Sequence, residues 1–124
     1  MGLVDVLRGK ENIELKIVKQ NNGVIEFYLE AIYSNGEEST AKELLYGPVV
    51  VDERGRPVVQ EPINESKDYV SIAKNLVPDS SIDSSLVPML LKSLKAKLAA
   101  FKKEGIQVQK VGNYTPEQLE TLYS

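Results

Sequence analysis

Apolar and polar residues alternate most cleanly between Ile13 and Tyr33, in two stretches that flank Asn21-Asn22-Gly23. Alternation sends successive side chains to opposite faces, so the stretches predict half-buried strands over Ile13 to Gln20 and Val24 to Tyr33, joined by a tight turn. Two registers are open. A three-residue loop with Gly23 in the left-handed conformation sets Ile17 opposite Phe27, Leu15 opposite Leu29 and Ile13 opposite Ala31, a wholly apolar face. A two-residue loop at Asn22-Gly23 sets Lys16 opposite Leu29 and Leu15 opposite Glu30, so the first register is preferred. The other face then holds Glu14, Lys16, Val18, Glu26, Tyr28 and Glu30, mostly acidic with one aromatic.

Further along, the period changes. Thr40-Ala41-Lys42-Glu43 has capping-box spacing and Gly47-Pro48 supplies a stop, predicting a short helix from Ala41 to Tyr46. Pro48 to Val51 and Val58-Val59 flank Asp52 to Pro57, which predicts a second hairpin turning on Gly55, with Pro57 favouring a sheet edge. Helical spacing returns at Tyr69, Ile72, Ala73 and Leu76, so a helix is expected from Glu65 to Leu76, capped by Asn64 and ended by Val77-Pro78. After a loop over Asp79 to Ser85, a longer helix from Leu86 to Lys103 is expected, with Ser85 as its cap, Pro88 in its first turn and Gly105 past its end. Ile106 to Val111 reads as a late strand. Thr115-Pro116-Glu117-Gln118 is a capping box that opens a final helix, with Tyr114 placed to pack on Leu119. Leu3 to Arg8 provides one or two helical turns before Gly9.

Together these elements predict an α+β fold: a small, mainly antiparallel sheet of two hairpins and a late strand, packed against two amphipathic helices. At 124 residues the chain has the length of a single domain spanning 1–124. No apolar run reaches the ~20 residues that a spanning helix needs, and the N-terminus lacks a secretory pattern, so a cytoplasmic protein without membrane contact is expected. Met1-Gly2 lacks the Ser or Thr that the myristoylation pattern wants, having Val6 there, and the Asn64 and Asn113 sequons read as caps and turns.

Composition narrows the chemistry more than the pattern does. The chain has no histidine and no cysteine, which removes disulfides, thiol nucleophiles, imidazole bases and ordinary zinc sites. Any catalysis has to use carboxylates, Lys, Tyr, Ser or a bound cofactor, and no cofactor fingerprint occurs. Ser71-Ile72-Ala73-Lys74 fits the Ser-x-x-Lys pattern, but its companion motifs are missing and it reads as a polar helix face. Glu37-Glu38 and Asp52-Glu53 are paired acids at expected turns and read as solvated, with no metal-ligand spacing around them.

The longest predicted helix stands apart in charge. It holds Lys92, Lys95, Lys97, Lys102 and Lys103 and no acid, so a segment of +5 lies in a chain of net −3 and the remainder is left with −8. At about 100° per residue, Val87, Leu90, Leu91, Leu94, Leu98 and Phe101 share one face, and Lys92, Lys95, Lys102 and Lys103 turn toward the other. Such a face either meets an anionic partner or keeps the helix soluble. Arg54 and Arg56, on the second turn, are the remaining basic candidates.

The expected function is a non-catalytic binding or adaptor module acting on a protein partner or on a second copy of itself, a homodimer, through the basic helix or an uncapped sheet edge. Two alternatives stand beside it. One is nucleic-acid binding with those lysines on phosphates, although few arginines and an acidic outer hairpin face speak against it. The other is a carboxylate-metal enzyme, which requires acids that converge in a cleft.

Overall fold

The computed structural model describes residues 2–33, 37–38, 41–59 and 62–123. The chain enters on α1 (Leu3–Leu7), whose Leu3 and Leu7 are fully buried, and then forms β1 (Ile13–Asn21) and β2 (Ile25–Tyr33), the pair foreseen from the alternation. Their face is as expected but their register is not. Leu15 lies opposite Ala31, Ile17 opposite Leu29 and Lys19 opposite Phe27. The turn is Asn22-Gly23-Val24, one residue later than expected, with Gly23 at φ +87° and the Asn22 N–H donating to the Val24 carbonyl. Moving the loop by one residue moves the pairing by two, which keeps every inward side chain inward. Hydrophobic patterning therefore could not separate these registers.

Two further strands pair with the flank of β2 that faces away from β1: β3 (Glu37–Glu38) opposite Ile32 and Tyr33, and β4 (Glu43–Val49) opposite Ile25 to Leu29. The expected helix from Ala41 to Tyr46 is thus a strand. Glu43 to Tyr46 lie against the open hydrogen-bonding edge of β2, and this long-range pairing outweighs the local capping signal; Thr40, its nominal cap, lies outside the described residues. β4 is irregular, with two register breaks against β2, Gly47 at φ +126° and a cis Gly47-Pro48 peptide. The second hairpin shrinks to a turn beyond β4. Val51 bridges to Pro57, Asp52 and Arg56 are joined through the backbone, and Gly55 takes φ +77° as expected.

α2 (Tyr69–Leu76) starts four residues later than expected, because Asp68, not Asn64, accepts from the Ser71 N–H at 3.1 Å. The Asn64 carboxamide instead closes a local turn by accepting from the Ser66 N–H and hydroxyl. The next helix is preceded by a 3-10 turn (Ser84–Leu86) capped by Asp83, whose carboxylate accepts from the Ser85 N–H at 2.9 Å and hydroxyl at 2.6 Å. Ser85 is therefore the donor in this cap and not the cap itself. α3 (Val87–Lys103) follows with Pro88 in its first turn and Gly105 at φ +76° beyond it. β5 (Val108–Val111) then runs parallel to β1 on its other side, and α4 (Pro116–Leu122) opens with both halves of the Thr115/Gln118 capping box formed.

The sheet order is β4, with β3 on the same flank, then β2, β1 and β5, a mixed sheet in an α+β fold. Its inward residues, Ile13, Leu15, Ile17, Ile25, Phe27, Leu29 and Ala31, join Ile72 and Leu76 of α2, Leu90, Leu91, Leu94 and Phe101 of α3, and Leu119 of α4 in one buried cluster. No buried residue in it is polar or charged among the described residues. Gly112, following β5, fits against the end of α2: its N–H donates to the Leu15 carbonyl, and a Cβ there would stand 2.5 Å from the Leu76 carbonyl oxygen.

Candidate functional site

α3 presents its lysines as its periodicity requires. Val87, Leu90, Leu91, Leu94 and Phe101 are buried and Leu98 is partly buried, while Lys92, Lys95, Lys102 and Lys103 are exposed. Relative to Leu94, the four exposed lysines fall within an arc of about 100° and span roughly 16 Å along the axis. Among the described residues none of the four forms an ion pair. Exposed Ala96, Ala99 and Ala100 keep the surface between them low.

Glu104 and Glu43 are engaged elsewhere. Glu104, next in sequence to the terminal lysines, accepts from Arg8 at 2.8 Å, and the same guanidinium lies 3.6 Å from Asp5. Glu43, on β4, takes Lys97 at 3.1 Å. Lys97 points to the opposite side of the helix axis from the other four and is half-buried, so it belongs to the α3 and β4 contact and not to the exposed face. Lys95 makes a contact of another kind, its ammonium standing 5.9 Å from the centre of the Tyr123 ring, near the outer limit of a cation–π contact. Burial, helped by the Glu120 carboxylate, pushes the Tyr123 phenol well above its ordinary range, and its buried hydroxyl has no hydrogen-bond partner among the described residues. Nothing in the sequence pointed to Tyr123 beyond its apolar character at the end of α4.

Arg54 and Arg56 do not join this face. Both sit on the turn after β4, where their backbone N–H groups each donate to the Asp52 carboxylate at 2.9 Å. That bonding gives Asp52 a structural role in the turn. At the start of the 3-10 turn, the Ser85 hydroxyl and N–H hold the Asp83 carboxyl below its ordinary value, and the nearby Arg56 charge adds to this. Arg56 is therefore near the N-terminal end of α3 and Lys102 and Lys103 are at its C-terminal end, with about 25 Å of helix between the two ends.

Two open grooves, of about 280 and 220 Å³, lie among the described residues, and both fall below the usual size of a ligand pocket. The larger lies between α2 and the loop before α3, beside Lys74 and Asp83; the smaller lies between the Glu14 and Ile32 margin of the sheet and Asp79. Among the described residues no three acidic side chains come together as metal ligands would. No helix of the described residues is long and apolar enough to cross a membrane. No family model, no curated protein and no solved structure matches this chain.

Proposed function

We propose that this protein is a binding module that recognises an acidic protein segment through the exposed face of α3. The observation that supports this most directly is the set of four ammonium groups, Lys92, Lys95, Lys102 and Lys103, on one arc of a helix whose other side is buried. No carboxylate of the described residues neutralises them, although the chain as a whole is acidic. A helix that merely needed solubility would gain as much from mixed charge. An uncompensated single-sign face also speeds encounter with an oppositely charged partner. The segment it fits is acidic and flexible enough to follow roughly 16 Å of helix.

The test is fluorescence anisotropy with a labelled glutamate-rich peptide, run beside single- and double-stranded oligonucleotides at low and moderate salt. The reading expects peptide binding that weakens with salt and is lost when the four lysines are replaced by glutamine. No peptide binding at low salt, or binding that ignores the four substitutions, would sink it. Tighter binding to the oligonucleotides than to the peptide would transfer the lysine face to the nucleic-acid alternative. The carboxylate-metal alternative has no converging acids to rest on among the described residues.

A further inference from the structure

The four outward lysines of α3 are not evenly spread. They form two pairs, Lys92 with Lys95 and Lys102 with Lys103, and the exposed residues between the pairs are alanines, Ala96, Ala99 and Ala100. Lys95 and Lys102 are seven residues apart, close to two full turns, so they lie on one row of the helix about 10 Å from each other. Lys92 and Lys103 are eleven residues apart, close to three full turns, and lie on a neighbouring row about 16 Å from each other. Measured around the axis from Leu94, the two rows stand at about 90° and 170° and Ala99 at about 140°, so this alanine is near the centre of the frame. The frame has cations at both ends and a floor of methyl groups between them.

We infer that the segment this frame accepts binds as a helix laid nearly along α3, with its carboxylates in two sets two turns apart and small residues between them; this rests on the reading of the lysine face as a site for an acidic segment. The lysine spacing selects the helix. In a helix, residues seven apart share a face at about 10 Å and residues eleven apart share it at about 16 Å, the two separations found in the frame. In an extended segment, side chains return to the same side only at every second residue, at about 7, 13 and 20 Å. Both lysine separations fall near the middle of those intervals, so an extended segment that meets one pair of lysines misses the other by about 3 Å. Lysine stems could bend across that gap, but only by giving up rotamer freedom that they keep in water.

The alanine floor sets what lies between the carboxylates. An acid placed over Ala96, Ala99 or Ala100 has no cation beneath it, whereas small side chains there let the two helix axes approach to about 8 Å, the close end of the packing range. A crossing angle of about 20° keeps both ends of the frame in contact, and one of about 50° would carry the ends apart. A free segment of about 15 residues holds a helix only marginally in water, so it is flexible before it binds and coils on the frame.

The experiment is fluorescence anisotropy of the whole chain at low salt with three labelled peptides built on alanine and serine, each about 18 residues long and of equal glutamate content. In the first, two glutamate pairs stand seven residues apart. In the second they stand nine apart, which turns them to opposite sides of a helix. The third is the first with a central proline, which breaks the helix. The first peptide is expected to bind at least about fivefold more tightly than either of the others, as the loss of two surface ion pairs implies. Replacing the four lysines by glutamine is expected to abolish that difference. Equal affinities for the three peptides, or binding of the unpatterned glutamate-rich peptide alone, would overturn the helical partner and leave the acidic-segment reading standing. Binding of none of these peptides would remove both.

Discussion

Lys97 and Glu43 meet at 3.1 Å between α3 and β4, and this contact divides the lysines of α3 into one that braces the fold and four that face outward. Both side chains retain contact with water, so the pair contributes at most about 1 kcal/mol. Lys97→Gln is accordingly expected to lower stability by less than about 1 kcal/mol in urea titrations while leaving acidic-peptide binding unchanged. A loss of binding as large as that caused by replacing the outward lysines would show that the division is wrong.

Gly112 should be among the least replaceable residues on the surface. Its φ of +57° disfavours any side chain, and a Cβ would also meet the Asn75 carbonyl oxygen at 2.7 Å and the Leu76 carbonyl oxygen at 2.5 Å. Gly112→Ala is expected to cost roughly 2 kcal/mol or more, whereas Gly105→Ala, with a similar φ of +76° and open space around it, should cost only about 1 kcal/mol. Equal losses for the two in chemical denaturation would mean that the close approach at Gly112 relaxes freely.

Asp83 ties stability to acid pH. Its carboxyl is held low in the folded chain by Ser85 first and Arg56 after it, so the folded form binds its proton less readily than the unfolded form does. The resulting stabilisation is complete above the ordinary carboxylate range and disappears as the pH falls through the lowered folded value. Asp83→Ala should cost about 1 kcal/mol near neutral pH through loss of the cap, and the difference from wild type should shrink on acidification. Parallel stability curves for the two proteins down to pH 2 to 3 would contradict this.

Tyr123 gives a prediction of the opposite sign. Its hydroxyl is buried without a partner among the described residues, so it has lost water and gained no hydrogen bond. Tyr123→Phe should leave stability unchanged or raise it by up to about 1 kcal/mol, with the ring contact to Lys95 preserved. A loss greater than about 1 kcal/mol would mean that the hydroxyl has a partner after all.

What the sequence made legible follows the reach of each signal. The inward face of the hairpin, the apolar side of α3 and the α4 capping box depend on residues within a few positions of one another, and all were read correctly. The register of β1 on β2 was not, because a shift of two residues preserves the face and only the loop geometry at Asn22 to Val24 decides it. The stretch Glu43 to Tyr46 was misread for a related reason: its local signals favour a helix, and only the flank of β2, more than ten residues earlier in the chain, supplies the competing partner. Asn64 and Asp68 are both good caps, and the choice between them rests on which one reaches Ser71. As for the candidate site, the four outward lysines could be named from spacing alone. The separation of Arg54 and Arg56 from them and the diversion of Lys97 to Glu43 both required the tertiary arrangement.

The irregularity of β4 and the brevity of β5 bear on how the protein behaves when crowded. Pro48 can donate no hydrogen bond, the breaks along β4 spoil its alignment for an incoming strand, and β5 offers only four residues. Neither margin is a template on which another chain could add itself and then offer a fresh margin in turn. Growth into fibres by strand addition therefore has no regular margin to start from at β4 or β5.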